Sequence, residues 1–265
     1  MILREPTVPR DYFIYNGINS ADYGVFISGV ETFAAPQRDV SSVQVPGRSG
    51  DIIFDNNRFT NVDITIPCYI PRDFMRKFDN FKAAILSDTG YHRLETTYDP
   101  EHFRQAYIVG PINPVTGPGN RSGQFDIVFR CKPQRYLKLG ERSFDITAEQ
   151  TGFKIYNRTM YNAAPRIQVK GTGNFQFRGA GITDPRQKFT VTVSQTTQTG
   201  VLFLDSETGN AYYERVVDGF RQNVAVNNWI STDLSGFPLI RPGYNFVYIN
   251  GSIEWLRIVP RWWTL

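Results

Sequence analysis

Only one stretch of this 265-residue chain carries the periodicity of a buried helix face, and the sequence around it is written for strands. Between Arg72 and Leu86, Phe74, Phe78, Phe81 and Ile85 recur at i, i+4, i+7 and i+11. That spacing puts four apolar side chains on one side of a helix, placed at residues 72–88. Asp73 stands near its positive end and Gly90 is available to stop it. Burial of each such side chain is worth about 1.5–3 kcal/mol before entropy, so the face needs a sheet to cover it. Elsewhere the 20 Phe and 14 Tyr, with Val, Ile and Thr, favour pleated, half-buried surfaces. The expected class is mostly β, with a β-sheet domain carrying the one α-helix ahead of a β-sandwich.

Phe13-Ile14-Tyr15 before Asn16-Gly17, and Val25-Phe26-Ile27 before Gly29, read as a short opening pairing. Asp55-Asn56-Asn57 separates Ile52-Ile53-Phe54 from a longer run that reaches Ile70. Asp and Asn tolerate left-handed backbone, so these three are expected at the tip of a hairpin over residues 52–64. Residues 110–120 form a Pro- and Gly-rich insert too long for a tight turn, the kind of loop that usually has a function. The return strand places Phe125, Ile127, Phe129 and Cys131 on one face and Asp126, Arg130 and Lys132 on the other, ending at Pro133.

Past Leu139 the texture changes to short strands at regular spacing, the pattern of a sandwich, and sets the domains at 1–139 and 140–265. Strands are expected at 144–147, 153–157, 166–170, 174–178, 188–194, 201–205, 210–213, 246–250 and 253–259, with hairpin connections at 205–210 and 250–252. The last strand carries apolar residues on both faces, Ile253, Trp255 and Val259 against Leu256 and Ile258, and reads as covered on both sides. Trp262 and Trp263 would be wasteful in water. They are expected to dock on a partner chain or, with the last residues, back on the first domain.

The 29 basic and 25 acidic residues leave a net charge of +4 with no block of five like charges, so no nucleic-acid footprint is present. Cys68 and Cys131 sit in strand-like runs and form no disulfide framework. The opening Met-Ile-Leu-Arg-Glu-Pro is broken by charge and Pro, unlike a signal peptide, and no run approaches the ~20 apolar residues of a membrane span, so no membrane partner is expected. His92 and His102, the two histidines, lack a nucleophile elbow or a zinc-like spacing. The glycine-rich stretches at 47–50 and 171–173 lack the Lys of a P-loop and the third Gly of a dinucleotide fingerprint. No enzyme, cofactor or metal is expected. The competing reading is a carbohydrate-binding or host-adhesion module, with Trp229, Trp255, Trp262, Trp263 and many of the tyrosines stacking on sugar rings.

A set of motifs recurs in order: Asn16-Gly17 with Asp22-Tyr23-Gly24-Val25; Val45-Pro46-Gly47-Arg48-Ser49-Gly50-Asp51 before a strand pair; the single helix; and Phe129-Arg130-Cys131-Lys132-Pro133. Asn162-Ala163-Ala164-Pro165-Arg166-Ile167 and Phe237-Pro238-Leu239-Ile240-Arg241-Pro242-Gly243-Tyr244-Asn245 complete it. Together they resemble the distal tail (Dit) family of siphophage tail proteins over nearly the whole chain. The resemblance implies a ring-forming first domain, a galectin-like second domain and no catalysis. It implies a hexameric ring at the virion tail tip, made in the host bacterial cytoplasm. That ring would join the tail-tube protein to the tail-associated lysin or fibre protein and to receptor-binding proteins. A closing ring needs two different surfaces on each chain, and strand edges and long loops supply them without disturbing a core. Ring contacts are therefore expected at Asp55, Asn56, Asn57 and Arg58 on the hairpin and at Pro114, Thr116 and Asn120 on the loop.

Overall fold

The computed structural model describes residues 10–29, 34–150, 152–179, 189–195, 201–233 and 236–265; the opening residues 1–9 and Lys188, read above as the start of a strand, lie outside them. The chain divides into two compact units, residues 1–135 with Leu265 and residues 136–264, a junction just ahead of Leu139.

The first unit contains β1 (Phe13–Tyr15), β2 (Ile18–Asn19), β3 (Phe26–Ile27), β4 (Arg38–Val43), β5 (Ile52–Phe59), β6 (Val62–Ile70), α1 (Phe74–Ile85), β7 (His92–Thr96), β8 (His102–Val109), β9 (Val115–Thr116) and β10 (Gly123–Leu137). Its main sheet runs β2-β1-β7-β8-β10-β6-β3, with β9 beside the start of β10. Asn16 and Gly17, both at positive φ (50° and 78°), make the two-residue turn between β1 and β2. The expected pairing of 13–15 with 25–27 is not formed. Both edges of β1 are taken by β2 and β7, and β3 pairs with β6 at the far side of the sheet.

Alternation on β6 sends Val62, Ile64, Ile66, Cys68 and Ile70 inward, and β10 answers with Phe125, Ile127, Phe129 and Cys131. The ladder between them runs from Ile70 opposite Gly123 to Val62 opposite Cys131. The apolar stripe of α1 seals this face, with the Phe78 ring 5.0 Å from Phe125 and the Phe81 ring 6.2 Å from Phe13. Gly123 is needed under the helix start, because a Cβ there would lie 2.4 Å from the Phe74 ring. Asp73 takes a left-handed conformation (φ 58°) and accepts from the Arg76 guanidinium. Gly90 does not stop the helix: Leu86 N–H closes on Lys82 O at 3.2 Å, and Gly90 serves the turn into β7. Pro133 does not end β10 either; the strand continues to Leu137.

The second unit contains β11 (Phe144–Thr147), β12 (Phe153–Asn157), β13 (Arg166–Gly179), β14 (Phe189–Val193), β15 (Val201–Asp205), β16 (Asn210–Val217), β17 (Phe220–Ala225), β18 (Ile230–Thr232), β19 (Gly243–Val259) and β20 (Trp263–Thr264). Its backbone is a long antiparallel ribbon of β13 and β19, each of which the sequence reading divided in two. One half of the ribbon is flanked by β15 and β11, the other by β14 and β12. Ile167 and Val169 from the first half and Phe175 and Phe177 from the second bury in one core, so the ribbon curls around it as a sandwich.

Asn250-Gly251-Ser252 is therefore no hairpin. It pairs with Thr172-Gly173-Asn174 mid-ribbon, where a Cβ on Gly171 would meet Ser252 O at 2.2 Å and one on Gly173 would meet Asn250 O at 2.4 Å. Next to it, Lys170 pairs with Trp255 and Gly171 with Ile253, which leaves Glu254 as the extra residue of a bulge. That bulge switches the buried parity from Ile253 to Leu256 and Ile258. The apolar residues on both faces of 253–259 thus record a register change, and the strand is covered on one side only. The 205–210 connection is a hairpin, with Asp205 opposite Asn210. Two buried amides pin the Phe237-to-Asn245 motif: Asn157 Nδ2 donates to Tyr161 O and Ile240 O, and Asn245 Nδ2 donates to Arg241 O and Gly243 O.

Candidate assembly surface

β4 and β5 form a two-stranded sheet apart from the main one. Residues 55–57, expected at a hairpin tip, lie inside β5 instead, and 52–64 is not a hairpin: β5 pairs with β4 while Val62 and Ile64 belong to β6 on β10. The left-handed residue expected there exists, since Asn57 has φ 56°, but it serves a bulge. Between Arg38 opposite Phe59 and Val40 opposite Asp55, β5 carries more residues than β4, and Asp55 Oδ1 accepts from Asn57 N–H at 2.8 Å.

Polar pairs hold the base of this ribbon. Arg38 binds Asp55, Arg58 binds Asp39, and Asn56 Nδ2 donates to Asp39 Oδ1 at 3.0 Å. Asp39 is held below the usual carboxylate range by Asn56 first and then Arg58, and Asp55 chiefly by Arg38. Three of the four residues proposed on the hairpin, Asp55, Asn56 and Arg58, are thus spent on holding the ribbon's own strands together.

Beside Ser41 and Ser42, the rest of the ribbon exposes apolar side chains. Val40, Val43, Ile53 and Phe54 are 45%, 49%, 67% and 55% exposed. By register, Val40 and Ile53 share one face and Val43 and Phe54 the other. An isolated two-stranded ribbon is marginal in water, and one with apolar side chains on both faces gains from being covered on both. Sequence reading passed over β4 as a polar segment. The signal was there in Val40-Ser-Ser-Val43 set against Ile52-Ile53-Phe54.

The insert at 110–120 folds back on the sheet, with β9 pairing the start of β10 and Thr116 Oγ1 donating to Asn120 Oδ1 at 2.8 Å. Pro114, Thr116 and Asn120 are all exposed, as is Val115. β9 lies at the Gly123 end of the β6–β10 ladder, and the ribbon joins at the Cys131 end through Thr60 and Asn61. The structure does not bring these two regions together; about 27 Å of strand separates them.

His102 lines a cavity with room for one water, and each histidine is held by its neighbours. His92 Nε2 lies 3.2 Å from Thr89 O, and its ring meets Tyr15 edge-on. His102 Nδ1 lies 2.7 Å from Asp99 Oδ1, while Asp99 also binds Arg135. Burial would raise the Asp99 carboxyl, but Arg135 and His102 outweigh it and hold it low. The adjoining cavity, lined by Leu94, Thr96 and Phe103, has about 20 Å³, room for one water. Among the described residues no cluster of three His, Cys, Asp or Glu could hold a metal, and no helix is long and apolar enough to cross a membrane.

Trp262 is not available for docking elsewhere: it is buried in the second unit's own core, pressed on Gly140. Trp263 stacks on Tyr161 at 4.3 Å and donates from Nε1 to Asn162 O at 2.9 Å. Trp229 stacks on Tyr213, and Trp255 is half-buried beside Arg257.

No protein-family model and no curated protein matches the chain. Among solved structures it is similar to the SPP1 Dit (gp 19.1) protein, described as a paradigm of hub adsorption apparatus in phages that infect Gram-positive bacteria. That likeness has a TM-score of 0.66 at 13% identity and covers 96% of this chain and 99% of that one. The chain is also similar to one from the phage p2 baseplate in its activated conformation, with a TM-score of 0.48 at 11% identity over 94% of this chain and 98% of the other. The fold, mostly β with one α-helix among the described residues, is thus shared with the SPP1 Dit protein along nearly the whole chain.

Proposed function

We propose that this chain is a structural protein of a phage tail tip, closing with five further copies into a ring through its first unit. The ring joins the tail-tube protein to the tail-associated lysin or fibre protein and to receptor-binding proteins, and the chain acts as a scaffold without catalysis. The observation that carries this reading is the β4–β5 ribbon, with exposed apolar side chains on both faces, on a fold shared with a hub protein. A ring closes through heterologous contacts, so each chain must present two unlike surfaces. The ribbon and the segment at Pro114, Thr116 and Asn120, at opposite ends of one ladder, meet that requirement. The earlier contact set shifts with this reading. Asp55, Asn56 and Arg58 stiffen the ribbon, and Val40, Val43, Ile53 and Phe54 make the contact.

The test is the doubly substituted chain I53S/F54S compared with the native one by light scattering and electron microscopy across a range of concentrations. The native chain forms rings with a central hole. The variant stays monomeric with a nearly unchanged melting curve, because the replaced side chains are mostly exposed in the monomer and belong to neither core. A variant that keeps the native mass removes the ribbon from the interface. A native chain that stays monomeric at every concentration removes the ring.

A further inference from the structure

The outer face of the β12–β19–β13–β14 half of the sandwich carries an unusual pairing of side chains. Inward positions on these strands, Ile155, Val247, Ile249, Phe175 and Val191 among them, fill the core. The alternate positions therefore point to solvent. On β12 and β19 they are aromatic: Tyr156 opposite Tyr244, then Phe246 and Tyr248 along the same strand. Tyr156 and Tyr244 are 48% and 46% exposed, with ring centres 4.6 Å apart, and Lys154 Nζ lies 3.7 Å from the Tyr244 ring centre. On the next two strands they are amides and hydroxyls, Asn174 opposite Thr192 and Gln176 opposite Thr190, with Gln176 also opposite Tyr248, and then the Arg178 guanidinium opposite Phe246. Within this half of the ribbon, β12, β14, residues 173–179 of β13 and 243–250 of β19, no outward position is a carboxylate.

We propose that this face binds a saccharide, with sugar rings stacked on Tyr156 and Tyr244 and sugar hydroxyls bonded to Gln176, Asn174 and the neighbouring threonines. The juxtaposition selects the ligand. A sugar presents an apolar C–H face and a rim of hydroxyls, which match a strip of rings beside a strip of amides. An apolar protein surface laid across the same face would cover the rings and leave the amides unpaired, which disfavours it. The inference does not depend on ring formation, since every residue in it belongs to the second unit.

The experiment is an array of defined rhamnose-, galactose-, glucose- and N-acetylhexosamine-based oligosaccharides probed with the full chain, followed by titration calorimetry on the best binder. At least one saccharide binds saturably, and Y156A, Y244A and Q176A each weaken it tenfold or more, while F220S, an exposed aromatic on another strand, leaves it unchanged. Y244Q replaces Y244A if the latter lowers the melting temperature. The proposal is overturned if no saccharide binds, or if binding survives Y156A and Y244A together, or if F220S weakens it equally. Protection of Tyr156 and Tyr244 from hydroxyl-radical labelling on self-assembly, with no saccharide bound, would overturn it in favour of a protein occupant.

Discussion

Gly171 and Gly173 carry the crossing of the two long strands at φ 99° and 137°, with no room for a methyl group. Gly219, in the tight turn before Phe220, also has a positive φ (81°) but nothing within 4 Å. Replacing any of the three by Ala therefore brings backbone strain, and only the first two add a clash with backbone carbonyls. In denaturant melts G171A and G173A should lose at least about 3 kcal/mol, and G219A about 1. A second residue-scale prediction concerns Arg261, whose guanidinium holds both oxygens of Asp205 at 2.8 and 2.6 Å and reaches Glu207. Burial would raise the Asp205 carboxyl, but Arg261 and the N–H groups of Glu207 and Thr208 outweigh it and hold it below the ordinary 3.8. A depressed carboxylate contributes stability that is present above its ordinary value and lost as pH falls through the folded one. R261Q should cost about 2 kcal/mol at pH 7, and the gap to native should narrow below pH 4. At this scale the sequence was only partly legible. A glycine advertises positive φ but not whether it serves a turn or a strand crossing, which is why Asn250-Gly251-Ser252 read as a hairpin. Asp55 to Asn57 misled for the same reason, since left-handed backbone belongs to bulges as well as to tips.

The helix was the most readable element, because four aromatic and aliphatic residues at a 3.6-residue period admit one buried face. F81A, in a fully buried position, should cost about 3–5 kcal/mol by chemical denaturation, and M75A, on the exposed side, less than about 0.5. Strands with clean alternation, such as β10, were legible in the same way. The β4–β5 ribbon was not, because its apolar residues belong to neither hydrophobic core and so show none of the one-sided patterning that a core imposes. Tyr156 and Tyr244 did not stand out among the 14 tyrosines for a related reason: the register that sets them side by side on neighbouring strands is a long-range fact.

For the whole molecule, the two hydrophobic cores share no residue, one running from Phe13 to Cys131 and the other from Ile146 to Trp262. The stretch 136–265 expressed alone should therefore melt as a single cooperative transition, checked by calorimetry, and lose that transition if cut after Val259, which removes Trp262 from the core. Cys68 and Cys131 are both buried, and burial pushes the Cys68 thiol upward, so neither should react with a maleimide until the first unit unfolds. The second unit's way in and way out are bound together: Leu137 N–H donates to Trp262 O at 2.8 Å, and Arg261 N–H donates to Gly140 O at 2.9 Å. A body suspended from one such clasp is exchangeable as a cassette. Another sandwich with adjacent first and last strands could take its place without rerouting the chain before Arg135, and added sequence at the tip of the β16–β17 turn would leave the clasp untouched. What descent must hold constant is then the fastening, while the surface it carries is free to vary.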